Sequence, residues 1–296
     1  MAASVQDVTV IRPLSSEVEI LFDAVLGTDL STQLRHIITN GEILWSSLAC
    51  TGNAVVKCGS AVVVKIVPRL EDYIEYDTLG YLNECAPTIP VPKPMGLLIS
   101  NHTRYIFMSL IPGPTLGAIW ATLAIDQKKS IQDQLEKMLA TLRAIERPVG
   151  GLLGAIGGGK CKDTRRHVRV NEQPIHSAAE FRDFLFSKPH YGTLAYNSLL
   201  QNLLGDGSEA VVFTHGDLRP DNIVVQPDER GCYVINGILD WEKSGFYPEY
   251  FESFKATNNL SPIDADDWYL YLPSSAASKN FALPWLVDRL WDKQVA

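Results

Sequence analysis

The chain has 296 residues, 46% of them apolar and 20% charged, with 34 acidic side chains against 26 basic ones and a formal charge of −8. Such a balance excludes disorder as the main state, and net acidity without a Lys/Arg run excludes the basic face that a nucleic-acid backbone requires. The length fits two domains or one two-lobed unit. Residues 221–296 hold 12 acidic and 6 basic side chains, so most of the negative field lies in the last quarter, where it serves solubility or draws in a cation. Cys50, Cys58, Cys85, Cys161 and Cys232 show no CxxC or metal-ligand spacing. They read as reduced thiols, each a small buried hydrophobe, in a cytoplasmic protein. MAASVQDVTVIRPL lacks a charged head followed by an apolar run, and no stretch reaches the roughly 18 apolar residues of a membrane span. No membrane contact and no obligate protein partner are expected.

Residues 1–40 read as a helical extension: Ser15 or Ser16 caps a helix over EVEILFDAVLG, and STQLRHIIT stops at Asn40-Gly41. The period then shortens. ILWSSLAC, AVVKC and AVVVKIV are Val-rich runs separated by Thr51-Gly52-Asn53 and Gly59-Ser60, the pattern of an antiparallel meander. A helix is predicted over about 70–83. Pro87, Pro90, Pro92 and Pro94 then set an extended crossing, and GLLIS and YIFMSLI form strands around the turn Asn101-His102-Thr103. The expected first lobe, residues 1–111, is thus a five-stranded sheet with one main helix. Pro112-Gly113-Pro114 marks the boundary to a larger helical lobe, 112–296. There Ile131, Leu135, Met138, Leu139, Leu142 and Ile145 recur at helical spacing as a core stripe. Helices follow over about 178–186 and 194–204. VVFTHGDLRPDNIVVQ gives two strands around a polar loop, CYVINGILDW another strand, and the remainder is mostly helical. A small β-rich lobe joined to a helical one predicts a ligand cleft between them.

The chemistry concentrates in THGDLRPDN and ILDWE. Asp217 and Asn222 lie five apart on one loop, and Asp240 ends the next strand, so all three can face one point. Two carboxylates and a carboxamide, without a His/Cys cluster, suit Mg²⁺ rather than zinc. Mg²⁺ with few protein ligands implies substrate phosphates, hence a nucleoside triphosphate.

His215-Gly216-Asp217, Asn222 five later, and Asp240 before Trp241-Glu242 resemble the catalytic loop of the aminoglycoside phosphotransferase and choline kinase family, the small-molecule relatives of protein kinases. The resemblance spans about 55–270 and implies an α+β, bilobal, protein-kinase-like fold that uses ATP and Mg²⁺ to phosphorylate a hydroxyl of a small molecule. It makes Asp217 the base, Asn222 and Asp240 the Mg²⁺ ligands, and Arg219 a cation offsetting charge on the moving phosphoryl group. His215 orients the loop. Lys65, on the third strand of the meander, resembles the lysine that pairs with the α/β-phosphates, with Glu75 as its partner and Glu71 as a fallback; Lys57 is the competing lysine. The alternative for Lys65 is a lysine reaching to solvent. YIFMSLIPG resembles the adenine-holding strand and linker, which implies base contacts from the backbone of Ser109 and Ile111 and a pocket lined by Phe107 and Met108. The usual glycine-rich phosphate hairpin is reduced to Thr51-Gly52-Asn53.

Gly154 to Lys160 nearly spells a P-loop but is not followed by a helical stripe. It resembles an insertion of fungal members, where Asp163, Arg165 and Arg166 line a substrate mouth or form a solvated loop. Glu249, Glu252, Asp264, Asp266, Asp267 and Trp268 would form an acidic, aromatic-edged wall for a cationic or amino-bearing acceptor. Trp241-Glu242 in place of Phe-Gly, with no Ala-Pro-Glu downstream, argues against protein substrates. The rivals are a catalytically idle nucleotide-binding protein of the same fold and a nucleotidyl transferase.

Overall fold

A computed structural model describes residues 8–25, 29–47, 52–69, 72–163, 165, 169–187, 192–204, 210–263 and 266–292. The chain divides into two compact units, Met1–Asn83 with Val91–Pro112, and Glu84–Pro90 with Gly113–Ala296.

In the first unit the elements run β1 Thr9–Arg12, α1 Ser16–Asp23, α2 Leu30–Asn40, β2 Glu42–Ser46, β3 Ala54–Cys58, β4 Val62–Pro68, α3 Ile74–Cys85, β5 Pro94–Ser100 and β6 Thr103–Ser109. The sheet has six strands, not five, in the order β1-β5-β6-β4-β3-β2. The added strand comes from the segment expected to be wholly helical. Its Val/Thr/Ile alternation ends at Pro13, and it pairs antiparallel with β5 through Thr9↔Ile99 and Val10↔Leu98. The β5–β6 turn needs two left-handed residues, Asn101 at φ 46° and His102 at φ 59°, which suits the right-handed twist of a two-residue hairpin.

Alternation gives the sheet two faces. Val62, Val64, Val56, Leu98 and Phe107 pack with Val18 and Phe22 of α1 and Leu34 and Ile37 of α2. Helices α1 and α2 therefore cover one face of the sheet. Phe22 meets Phe107 edge-on at 5.9 Å between ring centres. Truncation at this contact leaves a cavity under two helices, so Phe22→Ala is expected to cost about 3–5 kcal/mol in chemical denaturation. A loss below about 1 kcal/mol would mean that the helices are not integral to the sheet.

The second unit begins with α4 Leu116–Ile119 and a 3₁₀ turn at Trp120–Thr122, then α5 Ile125–Arg143, which buries Ile131, Leu135, Leu139 and Leu142 as the periodicity requires. β7 Lys162–Asp163 and β8 Arg169–Val170 pair with each other, and α6 Ala178–Leu185 and α7 Leu194–Leu204 follow. β9 Val211–Thr214, β10 Ile223–Pro227, β11 Tyr233–Ile238 and β12 Gly245–Pro248 form two ribbons, β10 with β11 and β12 with β9. The strands around the THGDLRPDN loop thus belong to different ribbons, and β12, at a Gly-Phe-Tyr-Pro run, was not foreseen. α8 Phe251–Ala256 and α9 Ala282–Asp292 close the unit. Phe181, Phe184, Tyr247, Phe251, Phe254, Val287 and Trp291 form its aromatic-rich core. No helix among the described residues is long and apolar enough to cross a membrane.

The cysteine expectation holds for half of the described thiols. Cys58 and Cys161 are buried, and burial pushes their thiols up to about 11 and about 12, whereas Cys85 and Cys232 are exposed. Exposure at Cys85 and Cys232 follows from their places at a helix end and beside a turn. Cys50 lies outside the described residues.

Candidate functional site

In the first unit, Lys65 sits mid-strand on β4, in register with Val55 of β3 and Ile106 of β6. It faces away from α1 and α2. A buried ammonium on such a face needs an anion, and Glu75 of α3 supplies it at 2.7 Å between Nζ and Oε2. With side-chain exposures of 13% and 4%, neither group is a surface snorkel. Lys57 pairs instead with Glu42 at the sheet edge, 3.5 Å away, and Glu71 lies outside the described residues. Val55 is also in register with Trp45 of β2, which is 50% exposed, so an open aromatic ring shares the row of Lys65. In the YIFMSLI strand, the Ser109 N–H donates to the Lys93 carbonyl and the Leu110 N–H to the Ala61 carbonyl. The Ser109 N–H is therefore committed within the sheet. Phe107 is fully buried against α1, on the face opposite Lys65; Met108, in register with Val63, shares the face of Lys65. The one-residue alternation separates the two.

In the second unit the loop after β9 is fixed from several sides. The fully buried His215 accepts the Asp217 N–H on Nδ1 at 3.0 Å. That leaves Nε2 to donate to the Leu239 carbonyl at 2.9 Å, which sets the neutral tautomer with its proton on Nε2. The ring packs edge-on against Trp241 at 4.5 Å, and Trp241 is itself held by its Nε1–H on the Ile238 carbonyl at 2.8 Å. Glu252, only 2% exposed on α8, accepts the His215 N–H at 2.7 Å and the Gly216 N–H at 3.3 Å. Gly216 has φ 80°, and a Cβ there would collide with the Lys243 carbonyl. No other residue fits both constraints.

These contacts present the polar side chains. The Asn222 amide nitrogen donates to the Asp217 carbonyl at 2.8 Å, and its backbone carbonyl accepts the Leu239 N–H at 2.8 Å. Asp217, Asn222 and the residue before Asp240 are thereby tied together, as the sequence spacing requires. Asp240 adopts φ 65°, a costly conformation for a residue with a Cβ and a mark of a constrained site. Arg219, expected to face the transferred phosphoryl group, has its Nε buried without a hydrogen-bond partner. The cation at Asp217 is Lys243, whose Nζ lies 3.0 Å from Asp217 Oδ2. Sequence reasoning passed over it, although it follows LDWE directly.

Two further expectations are corrected. The side chains of Asp163 and Arg165 do not form a solvated loop. Arg165 bonds Asp163 through Nε at 2.9 Å and Asp288 through Nη1 at 2.8 Å, Arg169 adds 3.4 Å to Asp163, and all are buried in the aromatic core. Arg166 lies outside the described residues. The near-P-loop is structural, as the missing helical stripe predicts. Gly154 and Phe246 exchange backbone hydrogen bonds at 2.9 Å, Lys160 is exposed, and β7 follows in place of a helix. The acidic wall is reduced: Glu252 and Trp268 are buried and leave it. Glu252 is spent on the loop amides, Asp266 caps the Trp268 N–H, and Trp268 is buried. Asp267 binds Lys128 at 2.7 Å and the Trp120 indole N–H at 2.8 Å. Glu249 remains half-buried, and Asp264 is outside the described residues.

Lys255, one turn beyond Glu252, is a buried lysine near Arg165, Asp163, Lys243 and Asp217. Burial, then the Arg165 charge, pushes its ammonium down to about 8, with Asp163 opposing. Between about pH 8 and the ordinary lysine value near 10.4, the unfolded chain binds more protons here, so stability rises with pH across that window. Below it the folded protein carries the cost of a buried charge. Lys255→Met is expected to raise the unfolding midpoint at pH 7, with the gain vanishing above about pH 10. A less stable variant at pH 7 would mean that the ammonium is net favourable.

A model of the phosphotransferase enzyme family matches residues 53–274. Among solved structures, a thermostable mutant of aminoglycoside phosphotransferase APH(4)-Ia, in ternary complex with ADP and hygromycin B, is 14% identical with a TM-score of 0.55, over 90% of this chain and 92% of that one. Aminoglycoside-3'-phosphotransferase of type VIII is 15% identical with a TM-score of 0.53, over 88% of this chain and 97% of that one. The streptomycin-ATP complex of APH(2")-IIa is 13% identical with a TM-score of 0.52, over 90% and 87%. No curated protein matches in sequence. The shared feature is the fold, an α+β protein-kinase-like arrangement of antiparallel sheet and helical unit.

Proposed function

From the premise that this chain belongs to the phosphotransferase enzyme family, we propose that it is an ATP- and Mg²⁺-dependent kinase of a small hydroxylated molecule. The observation that carries the reading is the loop in which His215, Glu252 and Asn222 together hold the backbone around Asp217 and present its carboxylate. Asp217 takes the proton of the acceptor hydroxyl as that oxygen bonds to the γ-phosphorus, and the bond from that phosphorus to the bridging oxygen breaks, releasing ADP. Lys65, aligned by Glu75, pairs with the α/β-phosphates. The Ser109 carbonyl and the Ile111 N–H are the backbone groups assigned to the base, since the Ser109 N–H is already committed.

The donor set fits Mg²⁺. The Asn222 nitrogen is spent on a carbonyl, which leaves Oδ1 outward as a hard oxygen, and Asp240 adds a carboxylate. Asn222 and Asp240 would hold the ion, which when bound supplies neutralisation of phosphate charge. Arg219 keeps its role toward the transferred group. With Glu252 held by the loop amides and Asp267 paired with Lys128, the charge argument for a cationic acceptor rests on Glu249 and Asp266. The acceptor class is a small alcohol or polyol, cationic or amino-bearing. We place the enzyme in the cytoplasm.

Incubating the full chain with Mg·ATP and a panel of hydroxylated metabolites tests this, with products read by mass spectrometry. ADP and a phosphate ester are expected. Pyrophosphate with a nucleotidylated product would replace phosphoryl by nucleotidyl transfer, and stabilisation by Mg·ATP with no turnover across the panel would indicate an idle nucleotide-binding protein.

A further inference from the structure

The cation that meets the candidate base is built into the backbone. Gly216 lacks a Cβ where the Lys243 carbonyl packs against it, so the segment after Asp240 lies directly on the base's own loop. The turn is closed by the Ser244 N–H and hydroxyl on the Trp241 carbonyl, at 3.2 Å and 2.6 Å. It continues into β12, whose Gly245 is pinned under the Gly154 carbonyl because no side chain fits there. Both ends of the segment are fixed by close backbone contact, and the Lys243 side chain between them is directed to Asp217 Oδ2. Arg219, the cation expected from its place on the loop, has no such arrangement.

We propose that Lys243 is the positioning residue of the base: its ammonium holds Oδ2 and so turns Oδ1 toward the acceptor hydroxyl. The inference rests on Asp217 being the base. A carboxylate free to rotate about its last torsion spends much of its time misdirected. An anchor on one oxygen removes that freedom while leaving the other oxygen's lone pairs for the proton.

The test compares the full chain with Lys243→Met, Lys243→Arg, Asp217→Asn and the Asp217→Asn/Lys243→Met double variant, using Mg·ATP with water as acceptor. Lys243→Met is expected to lower kcat about 10- to 100-fold with KM for ATP within about threefold, the split that distinguishes positioning from nucleotide binding. Lys243→Arg should restore most of the rate. The double variant should be no slower than Asp217→Asn alone, because residues acting as a unit are not additive. Wild-type kcat in Lys243→Met beside an inactive Asp217→Asn would overturn the proposal while sparing the functional reading. So would a raised KM with unchanged kcat. A second measurement is independent of turnover: reductive ¹³C-methylation of lysines, with the Lys243 resonance assigned by its loss in Lys243→Met. Asp217→Asn should move that resonance, and an unmoved resonance would exclude the pair. A chain that turns over ATP neither with water nor with any acceptor of the metabolite panel overturns the functional reading, and the resonance then decides the pair alone.

Discussion

Asp217→Asn is expected to reduce phosphoryl transfer by about 10³-fold or more, because it removes the proton acceptor while keeping the side chain's size. Mg·ATP affinity, read by calorimetry, should change by less than about threefold, since the assigned phosphate and metal contacts come from other residues. The asparagine would also lose its ion pair with Lys243, leaving a half-buried ammonium without its counter-ion. A modest fall in thermal stability should therefore accompany the lost activity. Transfer at near wild-type rate in the variant would show that another group accepts the proton.

The second large effect lies away from the loop. Asp163 stands between Arg165 and Arg169 inside the aromatic core. Burial alone would raise its carboxyl, but Arg165, by charge and by hydrogen bond, outweighs that and holds it well below the usual carboxylate range. Asp163→Asn leaves two guanidinium groups buried against a neutral amide, and breaking such a pair costs about 3–5 kcal/mol. Since the folded carboxyl is depressed, the unfolded chain binds the extra proton first as pH falls. The stabilisation is complete above about pH 4 and is lost progressively below it. Denaturation series at pH 7 and pH 3 should show the wild type approaching the variant at the lower pH. A constant difference would place the cost in packing rather than charge.

Legibility in the sequence followed the range of the interactions. The loop motif was readable because Asp217, Asn222 and Asp240 are set by local turn geometry, and Lys65 with Glu75 because strand alternation and one following helix suffice to pair them. Elements whose role depends on distant partners were not. β1 looks like a short tail until β5 is there to receive it. Phe107 and Met108 are adjacent, and the pleat sends them to opposite faces, which only the register decides. Arg165 in a glycine-rich, basic stretch reads as solvated, because nothing nearby announces Asp288, more than a hundred residues away. Acidic residues after position 248 looked like a surface, yet Glu252 faces inward because the loop amides require it, and Asp267 is held by Lys128. Lys243 was passed over since its partner is defined by a backbone contact with Gly216, which no spacing rule encodes.

α8 is six residues long, and all of them are buried. Phe251 and Phe254 lock it into the aromatic core, while Glu252, between them, holds the amides of His215 and Gly216. The Asp217 loop is thus mechanically continuous with the interior. Its amide protons are shielded by a carboxylate that can withdraw only if the core opens, so the loop exchanges with solvent on the timescale of unit-wide unfolding rather than of surface motion.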